Sequence, residues 1–81
     1  MQARFVGKTA IVTAAASGIG AATARCLARE GAAVMIADIS SRRAEALAAE
    51  LRQQGSTVWW RKMDAAVAED IAATVQETLD A

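Results

Sequence analysis

Apolar residues along the chain occur first in a short run and then at helical spacing, and this change repeats three times. The runs are 9–13, 34–39 and 57–63, and their β-branched and aromatic residues are typical of buried strands. Each run is followed by a segment in which apolar residues recur three or four positions apart, as in an amphipathic helix. The pattern predicts three consecutive strand–helix units.

The helical segments carry clear start and stop signals. Ser40 and Ser41 can cap the second helix, and Gly31 and Gly55 follow the first and second helices, where glycine commonly ends a helix. The stripes predicted to face the core are Ile19, Thr23, Cys26 and Leu27 in the first helix, Ala44, Leu47, Ala48 and Leu51 in the second, and Ala68, Ile71, Ala72, Val75 and Leu79 in the third.

Strands that alternate with helices of ten or more residues indicate a parallel sheet, because the helix carries the chain back to the starting edge. We therefore predict an α/β fold with the strand order three, two, one. No linker or low-complexity tract interrupts the chain, so residues 1–81 are expected to form one partial domain. A fourth strand beside strand one is expected to be missing, which would leave strand one with an unpaired apolar edge.

Composition and charge narrow the possible functions. Nine basic and nine acidic residues give a net charge of zero, which argues against a surface built for nucleic acid or an anionic membrane. No apolar run is long enough to span a bilayer, and no cysteine or histidine cluster suggests a metal. The single Cys26 is expected to be a small core residue in a reduced, cytoplasmic protein.

The turn between the first strand and the first helix has the composition of a phosphate-binding loop. It reads T-A-A-A-S-G-I-G from Thr13 to Gly20. Backbone N–H groups at the start of a helix are unpaired and favour an anion, and the absence of side chains at Gly18 and Gly20 would let a diphosphate approach closely. Glycine pairs also mark ordinary tight turns, so this motif alone does not decide between the two interpretations.

Asp38 strengthens the dinucleotide interpretation. It lies at the end of the second apolar strand, where a Rossmann-type unit places an acid that accepts hydrogen bonds from the adenosine ribose. A carboxylate there would also repel a 2′-phosphate, so NAD is expected to be preferred over NADP unless Arg42 or Arg43 compensates. The alternative is a turn or capping acid next to Ser40 and Ser41.

The sequence resembles the opening third of a short-chain dehydrogenase/reductase. The resemblance rests on FVGKTAIVTAAASGIG, LAREGAAVMIAD and the MD pair after the third strand. The family loop is T-G-x-x-x-G-x-G, which Thr13, Gly18, Ile19 and Gly20 match in spacing, whereas Ala14 replaces the usual first glycine. We expect this replacement to alter loop packing rather than to abolish binding.

The resemblance implies a cofactor site and a preference for NAD. NADP-preferring members often carry a basic residue before the second loop glycine, where this chain has Ser17. For Asp64, a helix N-cap is the alternative interpretation. Besides Thr13 of the loop motif, the residues implied are Ser17, Gly18, Ile19 and Gly20 for the diphosphate, Asp38 and Ile39 for the adenosine ribose, and Asp64 and Ala65 for the adenine.

The family's catalytic region has no counterpart in this sequence. By the resemblance, an Asn-Asn-Ala-Gly stretch, a serine and a Tyr-x-x-x-Lys pair would follow, and this chain has no tyrosine and no histidine. We therefore expect no catalytic residues here, an NAD-binding segment that is inactive alone, and a substrate that the sequence cannot name. The alternative is a non-catalytic nucleotide-binding or scaffold module. The exposed edge of strand one predicts a homo-oligomer.

Overall fold

The computed structural model describes residues 5–13, 18–64 and 68–80, and these residues form the predicted alternation of strands and helices. Every predicted element is present, with boundaries within a residue or two of those expected. The elements are β1 (Thr9–Thr13), α1 (Gly18–Arg29), β2 (Ala33–Asp38), α2 (Ser41–Gln53), β3 (Val58–Lys62) and α3 (Ala68–Asp80).

The three strands form one parallel sheet in the order β1-β2-β3, which confirms the predicted arrangement. In the register, Ile11 lies opposite Met35, and Met35 lies opposite Trp59. Because successive side chains of a strand point to opposite faces, these three residues share one face of the sheet. Val12 and Ile36, which lie opposite each other in the register, are on the other face.

The hydrophobic core lies between that second face and helices α1 and α2. The contact between α1 and the sheet is made by small side chains, because the buried residues of this helix are Ala21, Ala24 and Ala28. The buried cluster consists of Val12, Ala21, Ala24, Ala28, Ala32, Val34, Ile36, Ala44, Leu47, Ala48, Leu51 and Val58. Because alanine side chains are small, α1 can lie close to the sheet and pack against it without large side chains between them.

The stripe predicted for α1 is therefore wrong. Ile19 is 86% exposed, Thr23 and Cys26 are exposed, and only Leu27 is partly buried against the core. The three alanines present a continuous face at helical spacing, and that face contacts the sheet. Cys26 is consequently a surface thiol and not a core residue.

The stripe predicted for α2 is confirmed, since Ala44, Leu47, Ala48 and Leu51 are all buried. Ser40 is the N-cap of this helix, and its hydroxyl oxygen accepts a hydrogen bond from the Arg43 N–H at 3.3 Å. The helix end is closed by backbone bonds from residues 54–56 to its last carbonyls.

The stripe predicted for α3 is wrong, because Ile71, Val75 and Leu79 are exposed. Thr74 is the buried residue of this helix, with 1% of its surface exposed, and its hydroxyl donates to the Asp70 carbonyl. The acidic residues Asp70 and Glu77 of α3 face Arg61 of β3, whereas the apolar stripe of the helix stays exposed.

Arg61 of β3 makes polar contacts with α3. Its guanidinium donates to the Glu77 carboxylate at 2.8 Å and lies 4.0 Å from the Asp70 carboxylate. The Asp64 N–H also donates to the Asp70 carboxylate at 3.1 Å. These polar contacts hold one flank of α3 against β3. No helix within residues 5–13, 18–64 and 68–80 is both long and apolar enough to cross a membrane.

Candidate functional site

The predicted site residues lie at the edge of the sheet where the strands end. In the register, Thr13 of β1 lies opposite Ala37, and Asp38 of β2 lies opposite Lys62. A backbone hydrogen bond of 2.8 Å from the Met63 N–H to the Asp38 carbonyl extends the contact beyond β3. This parallel register brings the end of each strand to one edge, where ligands of open α/β sheets bind.

Asp38 is the most buried charged residue at this edge, with 6% of its surface exposed. Its carboxylate accepts a hydrogen bond from the Ser40 N–H at 2.8 Å, which is the local turn that Asp followed by Ser often forms. The turn role considered as an alternative for Asp38 is thus present. A carboxylate can accept several hydrogen bonds at once, so the turn is compatible with a second role as an acceptor for a ligand.

The first residue of α1 has a backbone conformation that favours glycine. Gly18 has φ +49°, and a Cβ built on it would meet no atom within 4 Å. The left-handed conformation, rather than crowding, therefore disfavours a side chain here. The first N–H groups of a helix have no partner inside the helix, which makes a helix start a place where an anion can bind. Gly20 is partly exposed in the same turn.

Two large apolar side chains flank this edge and are exposed to solvent. Ile19 follows Gly18 in the first turn of α1, and Ile39, which is 64% exposed, follows Asp38. Isoleucine is among the residues most often buried, so two exposed isoleucines beside the strand ends suit contact with the apolar faces of a ligand.

The remaining predicted residues are only partly defined. Ser17 and Ala65 lie outside the described residues, as does Ala14. Asp64 is partly buried two residues past β3, and its backbone N–H is held by Asp70. The N-cap alternative for Asp64 depends on residues 65–67, which lie outside the described residues, and stays a prediction. Sequence reasoning missed Asp70, whose spacing from Asp64 carries no recognised signal.

An open groove lies at the opposite edge of the sheet. Its volume is about 780 Å³, and it is bounded by the residues that precede the strands and by the ends of α1 and α2. Lys8, Arg25 and Arg29 lie along it, and Arg25 is bonded to Glu50 at 2.7 Å. Positive side chains at helix C-termini offset the helix dipole. Because the groove lies at the opposite edge of the sheet, it is separate from the candidate site.

Three kinds of group lie at the candidate edge. They are the buried carboxylate of Asp38, the start of α1 and two exposed isoleucines. The described residues contain no group of three or more Cys, Asp or Glu side chains placed to hold a metal. That these groups contact a dinucleotide is the prediction made from the sequence.

Comparison with known proteins identifies the family. The sequence matches the short chain dehydrogenase family over residues 8–81. The chain belongs to the short-chain dehydrogenase family. Over 69 residues it is 46% identical to cis-4-hydroxycyclohexanecarboxylate dehydrogenase from Sinomonas cyclohexanicum, an alignment that covers 85% of this chain and 27% of the relative. Over 79 residues it is 44% identical to the sex determination protein tasselseed-2 from Zea mays, covering 98% and 23% of the two chains.

Solved short-chain dehydrogenases contain the same architecture. A hydroxysteroid dehydrogenase from Escherichia coli superposes with a TM-score of 0.93 at 29% identity, covering 96% of this chain and 32% of that one. A citronellol catabolism dehydrogenase from Pseudomonas aeruginosa PAO1 gives 0.92 at 34% identity, covering 99% and 34%. The chain thus spans about a quarter to a third of the length of these relatives.

Membership in the short-chain dehydrogenase family supports a nicotinamide cofactor, because the dehydrogenases of this family use one. The resemblance found in the sequence is therefore confirmed at the level of family and fold. The assignment of individual cofactor contacts remains a prediction about the edge formed by Thr13, Gly18, Asp38 and Asp64.

Proposed function

We propose that this chain is the NAD-binding part of a short-chain dehydrogenase/reductase and supplies cofactor binding without catalytic residues of its own. The observation that carries the proposal is the buried carboxylate of Asp38 at the end of β2, next to the end of β1 in the parallel register. Dinucleotide-binding units of this kind place an acid at the end of the second strand and the start of a helix after the first.

Each predicted residue receives a role in this proposal. The backbone from Ser17 to Gly20 would hold the diphosphate at the start of α1, Asp38 would accept hydrogen bonds from the adenosine ribose hydroxyls, and Asp64 with Ala65 would border the adenine. Ile19 and Ile39 would lie against the apolar faces of the cofactor, which accounts for their exposure in the chain alone.

The charge of Asp38 supports NAD over NADP. A 2′-phosphate would sit beside a buried carboxylate, and two negative charges repel strongly where water is excluded. Arg42 and Arg43, the nearest bases along the chain, are exposed at the start of α2, where solvent weakens their ability to compensate. We therefore expect NAD to bind at least about tenfold more tightly, equivalent to about 1.4 kcal/mol.

Hydride transfer to a substrate would require groups that this sequence does not provide. The chain has no tyrosine and no histidine, which are common general acids and bases. The bound nicotinamide supplies the hydride chemistry, and the residues described here bind and orient the cofactor. We expect the isolated chain to bind NAD and to show no oxidation of secondary alcohols by the absorbance of NADH.

Isothermal titration with NAD and with NADP tests the proposal, after circular dichroism has shown that the chain is folded. Asp38→Ala should weaken NAD binding at least about tenfold, because it removes the ribose acceptor. Asp38→Asn keeps an oxygen that can accept from the Ser40 N–H but removes the negative charge. The difference between the affinities for NAD and NADP should therefore become smaller.

Asp80→Ala is the matched control, because Asp80 is an exposed carboxylate whose hydrogen bond is to Gln76 of the same helix. It should leave both affinities within twofold. A folded chain that binds neither nucleotide would refute the proposal and favour the scaffold alternative. Equal losses in the Asp38 and Asp80 variants would refute the role of Asp38.

A further inference from the structure

The chain that follows β3 is held by hydrogen bonds to two different elements. The Met63 N–H donates to the Asp38 carbonyl of β2 at 2.8 Å. The next N–H along the chain, that of Asp64, donates to Oδ2 of Asp70 in α3 at 3.1 Å. The first bond continues the ladder of backbone bonds between β2 and β3, whereas the second depends on a single side chain.

The carboxylate of Asp70 uses its two oxygens for different partners. Oδ2 accepts from the Asp64 N–H, and Oδ1 lies 4.0 Å from Nη2 of Arg61 in β3. Arg61 in turn donates through Nη1 to the Glu77 carboxylate at 2.8 Å. Because Asp70 is partly buried, water competes less for its contacts than it would at a fully exposed acid. Asp70 therefore links α3 to the backbone just after β3.

An acid in the first turn of a helix often has a simpler role than this. Such a residue offsets the positive end of the helix dipole, and in a capping box its side chain accepts from a backbone N–H three positions earlier. Asp70 departs from that pattern, because it accepts from an N–H 6 positions earlier, ahead of the start of α3 at Ala68. The bond consequently joins the strand end to the helix.

We propose that Asp70 is a positioning residue for the adenine end of the cofactor site. This inference rests on the proposed function, in which Asp64 borders the adenine. A carboxylate at that place can accept a hydrogen bond from the 6-amino group of the base, and its direction depends on where its own backbone is held. Asp70 sets that backbone position through the Asp64 N–H, and Arg61 helps to place Asp70.

The expected consequence is selectivity for an unmodified adenine. In 1,N6-etheno-NAD a two-carbon bridge joins N1 to the 6-amino nitrogen, so both N–H donors of that group are lost and the base is larger. A correctly placed Asp64 should therefore bind NAD at least about fivefold more tightly than etheno-NAD. Asp70→Ala should weaken NAD binding about fivefold and etheno-NAD binding much less, so that the two affinities differ by less than about twofold.

Glu77→Ala is the matched control for these titrations. It removes the other acid of α3 that contacts Arg61, and the contact that it removes is the shorter of the two. It leaves the bond between Asp64 and Asp70 in place. If Asp70 acted only by holding α3 on the sheet, Glu77→Ala would weaken NAD binding at least as much. We expect it to leave both affinities within about twofold of those of the unchanged chain.

Asp70→Asn separates the hydrogen bond from the charge. Asparagine keeps a carbonyl oxygen that can accept from the Asp64 N–H, and it loses the charge attraction to Arg61. This variant should retain most of the selectivity for NAD over etheno-NAD, with an NAD affinity within about threefold of that of the unchanged chain. A loss as large as that in Asp70→Ala would overturn the role of the hydrogen bond.

Amide hydrogen exchange followed by NMR measures the positioning without any cofactor. The Asp64 N–H should exchange at least about tenfold faster in Asp70→Ala, and within about twofold of its normal rate in Glu77→Ala. The Met63 N–H, which is bonded to the Asp38 carbonyl, serves as the internal reference and should not change in either. Equal exchange of the Asp64 N–H in all these chains would overturn the inference.

The titrations also distinguish a failure of this inference from a failure of the proposed function, in chains that circular dichroism shows to be folded. If the unchanged chain binds no NAD, both are overturned. If Asp38→Ala weakens NAD binding and Asp70→Ala does not, the proposed function stands and the role of Asp70 is wrong. Equal effects of Asp70→Ala and Glu77→Ala would likewise overturn the role of Asp70 and leave the proposed function intact.

Discussion

The clearest difference between α2 and α3 is the burial of their leucines, and a matched pair of substitutions measures it. Leu51 of α2 is fully buried, whereas Leu79 of α3 is 74% exposed. Both occupy positions that the sequence pattern alone assigns to a core-facing stripe. Leu51→Ala and Leu79→Ala delete the same atoms from the two helices, so the difference in unfolding free energy reports only the surroundings.

The expected magnitudes are well separated. Truncating a buried leucine costs about 2–5 kcal/mol, through lost burial and the cavity that remains. Exposed positions usually change stability by less than about 0.5 kcal/mol, and alanine has the higher helix propensity, which offsets part of the loss at Leu79. A domain of this size has a total stability of about 4–12 kcal/mol at 0.05–0.15 kcal/mol per residue. Leu51→Ala should therefore remove a large fraction of it.

Urea unfolding followed by circular dichroism is the appropriate assay. With a slope of about 1 kcal/mol per molar urea for a small domain, Leu51→Ala should lower the midpoint by about 2 M or more, and Leu79→Ala by less than about 0.5 M. If Leu51→Ala does not fold, Ile36→Val, a milder change at a fully buried core residue, should cost about 0.5–1.5 kcal/mol. Equal losses at Leu51 and Leu79 would refute the exposed placement of the α3 stripe.

Two further predictions concern a turn and a surface ion pair. Gly31 and Gly55 have φ of +96° and +90°, but only a Cβ at Gly31 would meet Val6, at 2.7 Å; Gly31→Ala should lower the urea midpoint more than Gly55→Ala, and equal shifts would exclude crowding as the cause. The hydrogen bond from Arg25 holds the pKa of Glu50 below its ordinary value, so this pair stabilises the fold at neutral pH and its contribution is lost as the pH falls through the lowered pKa. Glu50→Gln should thus lower the melting temperature slightly at about pH 7 and by less in acid, whereas an equal effect at both would contradict the pair's role.

The order of elements was predictable because each boundary has a local cause. Ser40 caps α2, and Gly31 ends α1 in the left-handed conformation that glycine favours. Parallel pairing in the order β1-β2-β3 followed from the lengths of the intervening helices. These features depend on a few neighbouring residues, so the sequence alone was sufficient to infer them.

The orientation of α1 and α3 was not predictable from hydrophobic spacing. α1 buries alanines and exposes Ile19, because a face of small residues can approach the sheet closely even when larger apolar residues are available elsewhere on the helix. α3 buries Thr74 and places Asp70 and Glu77 beside Arg61 of β3. The decisive contacts in both cases are tertiary, and the spacing of apolar residues within a helix does not report them.

The candidate site was predictable to a similar extent. The position of Asp38 at the end of β2 and that of Gly18 at the start of α1 follow from the pattern of strand, loop and helix. The bonds that hold the neighbourhood together, from the Ser40 N–H to Asp38 and from the Asp64 N–H to Asp70, are side-chain contacts that depend on the turns after β2 and β3. They became apparent only from the structure.

The test of the cofactor edge separates a lost contact from a lost fold. The predicted edge lies where β1 and β2 end, whereas the core lies between the sheet and the helices α1 and α2. Asp38→Ala should therefore weaken NAD binding while the circular dichroism spectrum of the folded chain is retained, and Leu51→Ala should lower the stability of the fold. Loss of both NAD binding and the folded spectrum in Asp38→Ala would mean that the chain had unfolded rather than lost one contact.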